Sequence, residues 1–419
     1  MTMKCTVHVF ALCAVAAGTF VSVLSAARDQ TPAAPSAAPA AAAAPGPRAA
    51  NAPPLVPLRV DRDGNFRIAP PYVDDPAFTE KPGVPKGKVI RFTMNSATST
   101  FFPAAPAAGA RGGGGGRGGR GGGQAGAAPG AGGAGAPAAP VAAPPANAPA
   151  DQAAAPATPP LPQAFDRQIA LYIPPGYVPN TPAPFIVVQD ERWYVKEDAP
   201  VDAATGLQRT DLAFMPTMLD NLINEKRIPP IVAVLLAPGP GTERSIEYDS
   251  ISDRYLNFIE MEVLPRITRD YQVAFTTDPD GRATFGESSG SPVALAMAWL
   301  YPNLYRRVIS YSGTFVALRP NAIAPNGAWD FHKTFIPNSD PKLIRIWMEV
   351  GERDNGFDTS EEGMRNWVIA NNHMADALKA KGYHYQFVFA EAVGHVSRPV
   401  QKQTMPEAFE WVWQGYKAK

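Results

Sequence analysis

Cysteine is nearly absent: the 419 residues hold two, Cys5 and Cys13, both at the very start of the chain. Everything after them must hold together without disulfides, and thiol nucleophiles are excluded from its chemistry. Histidine is almost as scarce, at five residues, so candidates for a general base are few. Net charge is missing too. The 38 basic residues balance 38 acidic ones, and no global field draws the chain to nucleic acid or an anionic membrane. Long apolar runs are lacking outside one stretch, Val7 to Leu24. Proline and glycine, by contrast, number 46 and 36 and crowd the first 165 positions.

The apolar stretch follows a short positive start at Lys4 and leads into Ser25-Ala26-Ala27. That is the pattern of a secretory signal peptide over residues 1–27, cut after Ala27. Once it is removed no integral membrane segment is expected, and the destination is the periplasm or the outside of a bacterial cell. Residues 28–53 are Ala/Pro-rich, with little but methyl groups to bury, and read as a disordered tether. The rest, 54–419, reads as one domain carrying a low-complexity Gly/Ala/Pro insertion at about 103–162. The arginines in that insertion, Arg111, Arg117 and Arg120, lack the interleaved aromatics that RNA stacking needs. No nucleic-acid partner is expected. Strand-like segments flank it, Lys88 to Met94 and Phe165 to Ile173, so the insertion is expected to lengthen the loop of an early hairpin. Lengthening a loop is cheap, at about 0.6 kcal/mol per doubling.

From there strands and helices alternate. Phe185–Val188, Ile231–Leu236, Ala283–Phe285, Val308–Tyr311, Leu343–Val350 and Tyr383–Phe389 read as strands. Helices are expected over Met215–Lys226, Tyr255–Ile267, Val293–Leu300, Glu361–Lys381 and Met405–Tyr416. Unalternating apolar strands separated by helices predict an α/β fold: a mostly parallel sheet with helices on both faces. Its site should lie at the carboxyl ends of the strands.

One motif sits there. Gly286-Glu-Ser-Ser-Gly290 follows a strand and opens a helix, the setting of a nucleophile elbow and of the α/β-hydrolase fold. The glycines leave room for a sharp turn, and the helix N-terminus aims free N–H groups at the reacting oxygen. A serine nucleophile needs a base, and the base needs an acid to orient it. His395 lies just past the last strand, where a loop can bring an imidazole over Ser288. His373 and His384 fall within a helix and a strand, and His332 in a long connection. The acid is expected after the strand ending at Val350. Asp354 is favoured there, with Asp358 and Glu352 as alternatives. Oxyanion donors are expected from the backbone of Ser289 and from Glu191 or a neighbour. Arg192 and Trp193 are candidates for lining the substrate pocket. No metal or other cofactor is required.

These residues, taken together, resemble the esterase D family of α/β-hydrolases and its enterochelin-esterase-like branch. The likeness covers about 165–415. It is carried by Leu171-Tyr-Ile-Pro-Pro-Gly-Tyr177, by Asp190 and Trp193, and by Arg244-Ser-Ile-Glu-Tyr248 with Glu262-Val-Leu-Pro265. Gly286-Glu-Ser-Ser-Gly290, Gly351-x-x-Asp354 and Gly394-His395 complete it. The region 64–102 is similar to the opening strands of such esterases. Two departures stand out. Glu191 replaces the family's glycine beside the oxyanion-hole aspartate, and only residues 55–100 are left for the N-terminal lid of true enterochelin esterases. The resemblance implies ester hydrolysis; with the signal peptide, the reading is an exported serine carboxylesterase acting on a small-molecule or polymer ester through Ser288, His395 and Asp354 and an acyl-enzyme. The family also holds feruloyl and acetylxylan esterases, thioester hydrolases and mycolyl transferases, so the substrate does not carry over. Acyl transfer to a sugar or lipid acceptor, or ligand binding without catalysis, are the alternatives.

Overall fold

Phe185-Ile-Val-Val-Gln189 and Val232-Ala-Val-Leu-Leu236 are buried at every position, and such strands can survive only in the middle of a covered sheet. The computed structural model, which describes residues 52–103, 163–190, 194 and 214–417, puts both there. The strands are β1 (Gly64–Ile68), β2 (Lys88–Asn95), β3 (Asp166–Ile173), β4 (Pro182–Ala183), β5 (Phe185–Gln189), β6 (Val232–Leu236), β7 (Ala274–Phe275), β8 (Arg282–Glu287), β9 (Arg307–Tyr311), β10 (Arg345–Arg353) and β11 (His384–Gly394). Nine of them form one sheet in the order β1-β11-β10-β9-β8-β5-β6-β3-β2, and β4 pairs with β7 beside it. From β1 through β6 in that order all neighbours run parallel; β3 pairs antiparallel with both β6 and the edge strand β2.

The early hairpin pairs without a break, from Lys88 opposite Ile173 to Asn95 opposite Asp166. Most of the insertion, 104–162, lies outside the described residues, as do the signal segment and nearly all of the tether. All described residues belong to one unit, Pro47–Lys419. β1 takes an unanticipated place. It lies at the far edge from β2, parallel to the last strand, with Phe66 and Ile68 turned into the core.

Alternate residues of each central strand feed two cores. Phe185 and Val187 face the one built with helices α2 (Glu243–Tyr248), α3 (Arg254–Phe258), α4 (Leu264–Tyr271), α5 (Gly290–Leu300) and α6 (Trp367–Ala380). Ile186 and Val188 face the other, built with α1 (Met215–Asn224) and α7 (Arg398–Trp413). This is the α/β-hydrolase arrangement, with α5 nearly fully buried between sheet and neighbours. Among the described residues no helix is long and apolar enough to cross a membrane.

Three helices differ from expectation. The one expected over Tyr255–Ile267 is two, α3 and α4, joined by a π-helical turn at Ile259–Val263. Pro265 at the start of α4 supplies no N–H and crowds the preceding turn, which the wider π turn relieves. α6 starts only at Trp367, where Asn366 accepts the N–H of Ile369, after Met364 has left the helical path at φ +50°. α7 begins at Arg398 and continues through Pro406.

Candidate active site

Ser288 stands at the carboxyl end of β8 with φ +53°, a left-handed conformation that costs a non-glycine residue free energy. The surroundings enforce it. Its N–H donates to Tyr311 O at 2.9 Å, and its own carbonyl accepts from Ser291 and Thr314 N–H. The flanking glycines have a measurable reason to be glycine. A Cβ on Gly286 would stand 2.0 Å from Gly290 O, and one on Gly290 would press on Gln189 Cβ at 3.0 Å. Ser291 ties the turn down by donating its Oγ hydrogen to Gly286 O at 3.0 Å. α5 then starts at Gly290, and Pro292 occupies its first turn, where an N–H would have no partner inside the helix.

His395 follows β11 directly. Its Nε2 lies 2.8 Å from Ser288 Oγ and its Nδ1 2.6 Å from Asp354 Oδ1. Close approach of the two carrier segments makes this reach short. A Cβ on Gly351 would meet the carbonyl oxygens of Val393 and Gly394 at 2.7 Å. The β10–β11 register also slips between Gly351 and Arg353: Gly351 pairs with Ala390 but Arg353 with Gly394, so β11 carries extra residues in a bulge just before His395. Val396, at φ +51°, then donates its N–H to Ser312 Oγ at 2.8 Å and pins the loop. The Trp367 ring stands edge-on to the imidazole at 6.2 Å, held by Nε1 donating to Thr314 Oγ1 at 3.1 Å.

Of the three acids, only Asp354 meets the imidazole. It is fully buried and its Oδ1 also accepts the Asn355 N–H at 2.7 Å. Glu352 instead accepts the Ala392 N–H at 2.8 Å, and Asp358 lies exposed. The other histidines are engaged elsewhere. His332 is buried against Trp329, with ring centres 4.4 Å apart, and burial, with the neighbouring His373, pushes its pKa down to about 3. His373 lies 3.7 Å from Glu361, and His384 Nδ1 pairs with Asp63 at 2.8 Å.

Ser289 keeps its N–H without a backbone acceptor among the described residues, as an oxyanion donor requires. Glu191, Arg192 and Trp193 lie outside the described residues. The residue before them, Asp190, is described. It sits at φ +61°, fully buried, and receives Arg244 Nε at 2.9 Å and Nη2 at 2.7 Å on its two oxygens. Burial opposes the charge of Arg244, but the hydrogen bonds and charge of Asp190 hold its pKa above the ordinary value.

Sequence reasoning missed two further buried carboxylates. Glu287, beside Ser288, takes Arg398 Nη1 at 2.8 Å and Nη2 at 3.0 Å, Gln401 Nε2 at 3.0 Å and the Tyr194 hydroxyl. Burial alone would raise its pKa; Arg398, Tyr194 and Gln401 outweigh that and hold the carboxyl below its ordinary range. Glu349 behaves oppositely. Both its oxygens are buried without a partner, and burial, then the charge of Asp354, pushes its carboxyl well up. The signal for Glu287 was present in the motif; nothing local marked its partner 111 residues away. Among the described residues no cluster of three or more His, Cys, Asp or Glu could hold a metal ion.

Comparison with known proteins sets this geometry in context. The family model named Esterase matches residues 164–409. Among solved structures, the chain is similar to enterochelin esterase from Shigella flexneri at 20% identity, covering 59% of this chain and 55% of that one, with a TM-score of 0.43. The chain thus spans about half the length of that enzyme. A ferulic acid esterase matches at 17% identity over 60% of this chain and 93% of its own, with a TM-score of 0.44. The CE1 ferulic acid esterase of the anaerobic fungus Anaeromyces mucronatus matches at 13% identity over 82% and 95%, with a TM-score of 0.46. No curated protein matches. The family model spans more than half of the sequence and takes in Ser288, Asp354 and His395, and on that match the chain belongs to the Esterase family.

Proposed function

We propose that the protein is an exported serine esterase that cleaves a small-molecule or polymer ester through an acyl-enzyme. The observation that carries this reading is the unbroken relay from Ser288 Oγ through His395 to the buried Asp354, at 2.8 and 2.6 Å. His395 takes the Ser288 proton as Oγ attacks the ester carbonyl, then returns it to the departing alkoxide. Asp354 fixes the imidazole with Nδ1–H pointing at itself and Nε2 free to accept. The developing oxyanion meets the Ser289 N–H at the start of α5, with a second donor expected from the chain just after Asp190. Water then attacks the acyl carbonyl as His395 takes its proton; the bond to Ser288 Oγ breaks, His395 returns the proton to Oγ, and the acid leaves. Export is inferred from the apolar stretch Val7 to Leu24 ahead of Ser25-Ala26-Ala27.

Hydrolysis of p-nitrophenyl acetate by purified protein tests the chemistry. Ser288→Ala and His395→Ala are each expected to lower kcat by about 10⁴-fold or more. Activity undiminished in both variants would contradict it. The same assay with added sugar or lipid alcohols, read by product analysis, separates hydrolysis from acyl transfer.

A further inference from the structure

At the sheet edge opposite Ser288, where β8 to β11 begin, a cleft of about 490 Å³ opens between the strand starts and the end of α7. Its lining is mostly basic: Arg306, Arg307, Lys342, Arg345 and His384 contribute, against one carboxylate, Asp280. Three of these are in register. Arg307 pairs with Arg345 across β9 and β10, and Arg345 with His384 across β10 and β11, so the three side chains share one face of the sheet.

Part of this charge has a structural duty. Arg307 Nη1 donates to Val412 O and Gln414 O, and Arg345 Nη1 donates to Trp411 O and Gln414 O, so the two guanidiniums cap the carbonyl end of α7. That duty uses one Nη of each, plus Arg307 Nε on Asp280 O. The guanidiniums pack over aromatic rings, Arg307 over Trp413 and Tyr416 and Arg345 over Trp411 at 4.5 Å, while Arg307 Nη2 and Arg345 Nε and Nη2 make no protein hydrogen bond and both residues line the cleft. The nearby carboxylates are committed elsewhere: Asp280 to Arg306 at 3.0 Å and Asp63 to His384 at 2.8 Å. Neither Arg307 nor Arg345 has a carboxylate ion-pair partner among the described residues. Lys342 closes the rim, its ammonium 5.1 Å over the Trp299 ring.

Cap carbonyls carry partial charge only, so two adjacent guanidiniums and an ammonium remain largely uncompensated. Burial, and for Arg307 also the charge of Arg345, makes the two guanidiniums harder to keep protonated than in water: Arg307 falls to about 10 despite Asp280. An anion in the cleft would reverse that. We propose that this cleft is a second binding site, remote from the serine, for a small polyanion bearing phosphate or carboxylate groups. The planar guanidiniums, with free N–H groups on one face, suit bidentate contact with either group.

Calorimetric titration of the full-length protein with inorganic phosphate and, separately, with citrate at low ionic strength tests this. Saturable binding of one, the other or both is expected, and which one binds identifies the group recognised. Lys342→Gln, which removes no cap, should weaken binding about five- to tenfold, and Arg345→Gln at least as much. Thermal unfolding of each variant shows whether it is folded. The proposal fails if neither anion binds below about 10 mM, a free energy too small for a built site. It also fails if folded Lys342→Gln binds as wild type does. Neither readout uses ester hydrolysis, so this result and the fate of the esterase reading are separable.

Discussion

Ser288 is held in a strained conformation by groups that leave no alternative: Tyr311 O on its N–H, Gly290 against Gly286, and Ser291 on the Gly286 carbonyl. The strain exposes Oγ to His395 on one side and leaves the Ser289 N–H open on the other. Asp354 acts one bond further out. Asp354→Asn keeps the shape but can reverse the hydrogen bond and strand the imidazole in the wrong tautomer. It should lower kcat by about 10³- to 10⁴-fold. Glu352→Gln and Asp358→Asn, in the same loop, should stay within a few-fold; a larger loss for either in steady-state kinetics would reassign the acid. How far this was legible is plain at these residues. The elbow could be read because its glycines and the strand–helix change are local. His395 and Asp354 could be read because each follows a strand end. Sequence could favour Asp354 but not exclude Glu352 and Asp358, which lie with it inside seven residues; only the fold brings Asp354 alone onto His395.

At the scale of elements, α7 and β8 are bolted together beside the site. Arg398 opens α7 three residues after His395 and lies bidentate on Glu287, the residue before Ser288, with Gln401 and Tyr194 on the same carboxylate. The bond therefore fixes the His395 loop relative to Ser288. Arg398→Leu would leave Glu287 buried and uncompensated, at a cost of about 3–5 kcal/mol. The double variant Glu287→Leu/Arg398→Leu should recover part of that loss in urea unfolding. Simple addition of the two single effects would show that the pair is not coupled. Such long-range pairs, like Asp190 with Arg244, leave no periodic trace, and neither does the edge pairing of β1 with β11. The π turn before α4 was in principle readable from Pro265, whose missing N–H argues against one continuous helix.

Across the whole molecule, burial of titrating groups makes stability depend on pH. Glu407 on α7 is pushed up to about 7 by burial, then by Asp75 and Glu410, against the pull of Arg227. From its ordinary 4.5 upward the folded state therefore holds more proton than the unfolded one. Its contribution is fully present below that value and is lost as pH rises through about 7. Glu407→Gln removes the loss, so its melting temperature relative to wild type should climb between about pH 5 and pH 8. A constant offset across that range would refute the assignment. His332 works the other way. Held neutral in the fold, it costs stability as pH falls below its ordinary value of 6.5 toward about 3.

The proposed chemistry rests on Ser288 as its nucleophile. Labelling the full-length protein with a fluorophosphonate and mapping the adduct by peptide mass spectrometry tests it most directly. One stoichiometric adduct on the peptide holding Ser288, lost in Ser288→Ala and formed in step with the loss of p-nitrophenyl acetate hydrolysis, is the expected result. Hydrolysis that persists in fully labelled protein, or an adduct on another residue that alone abolishes it, would contradict the account.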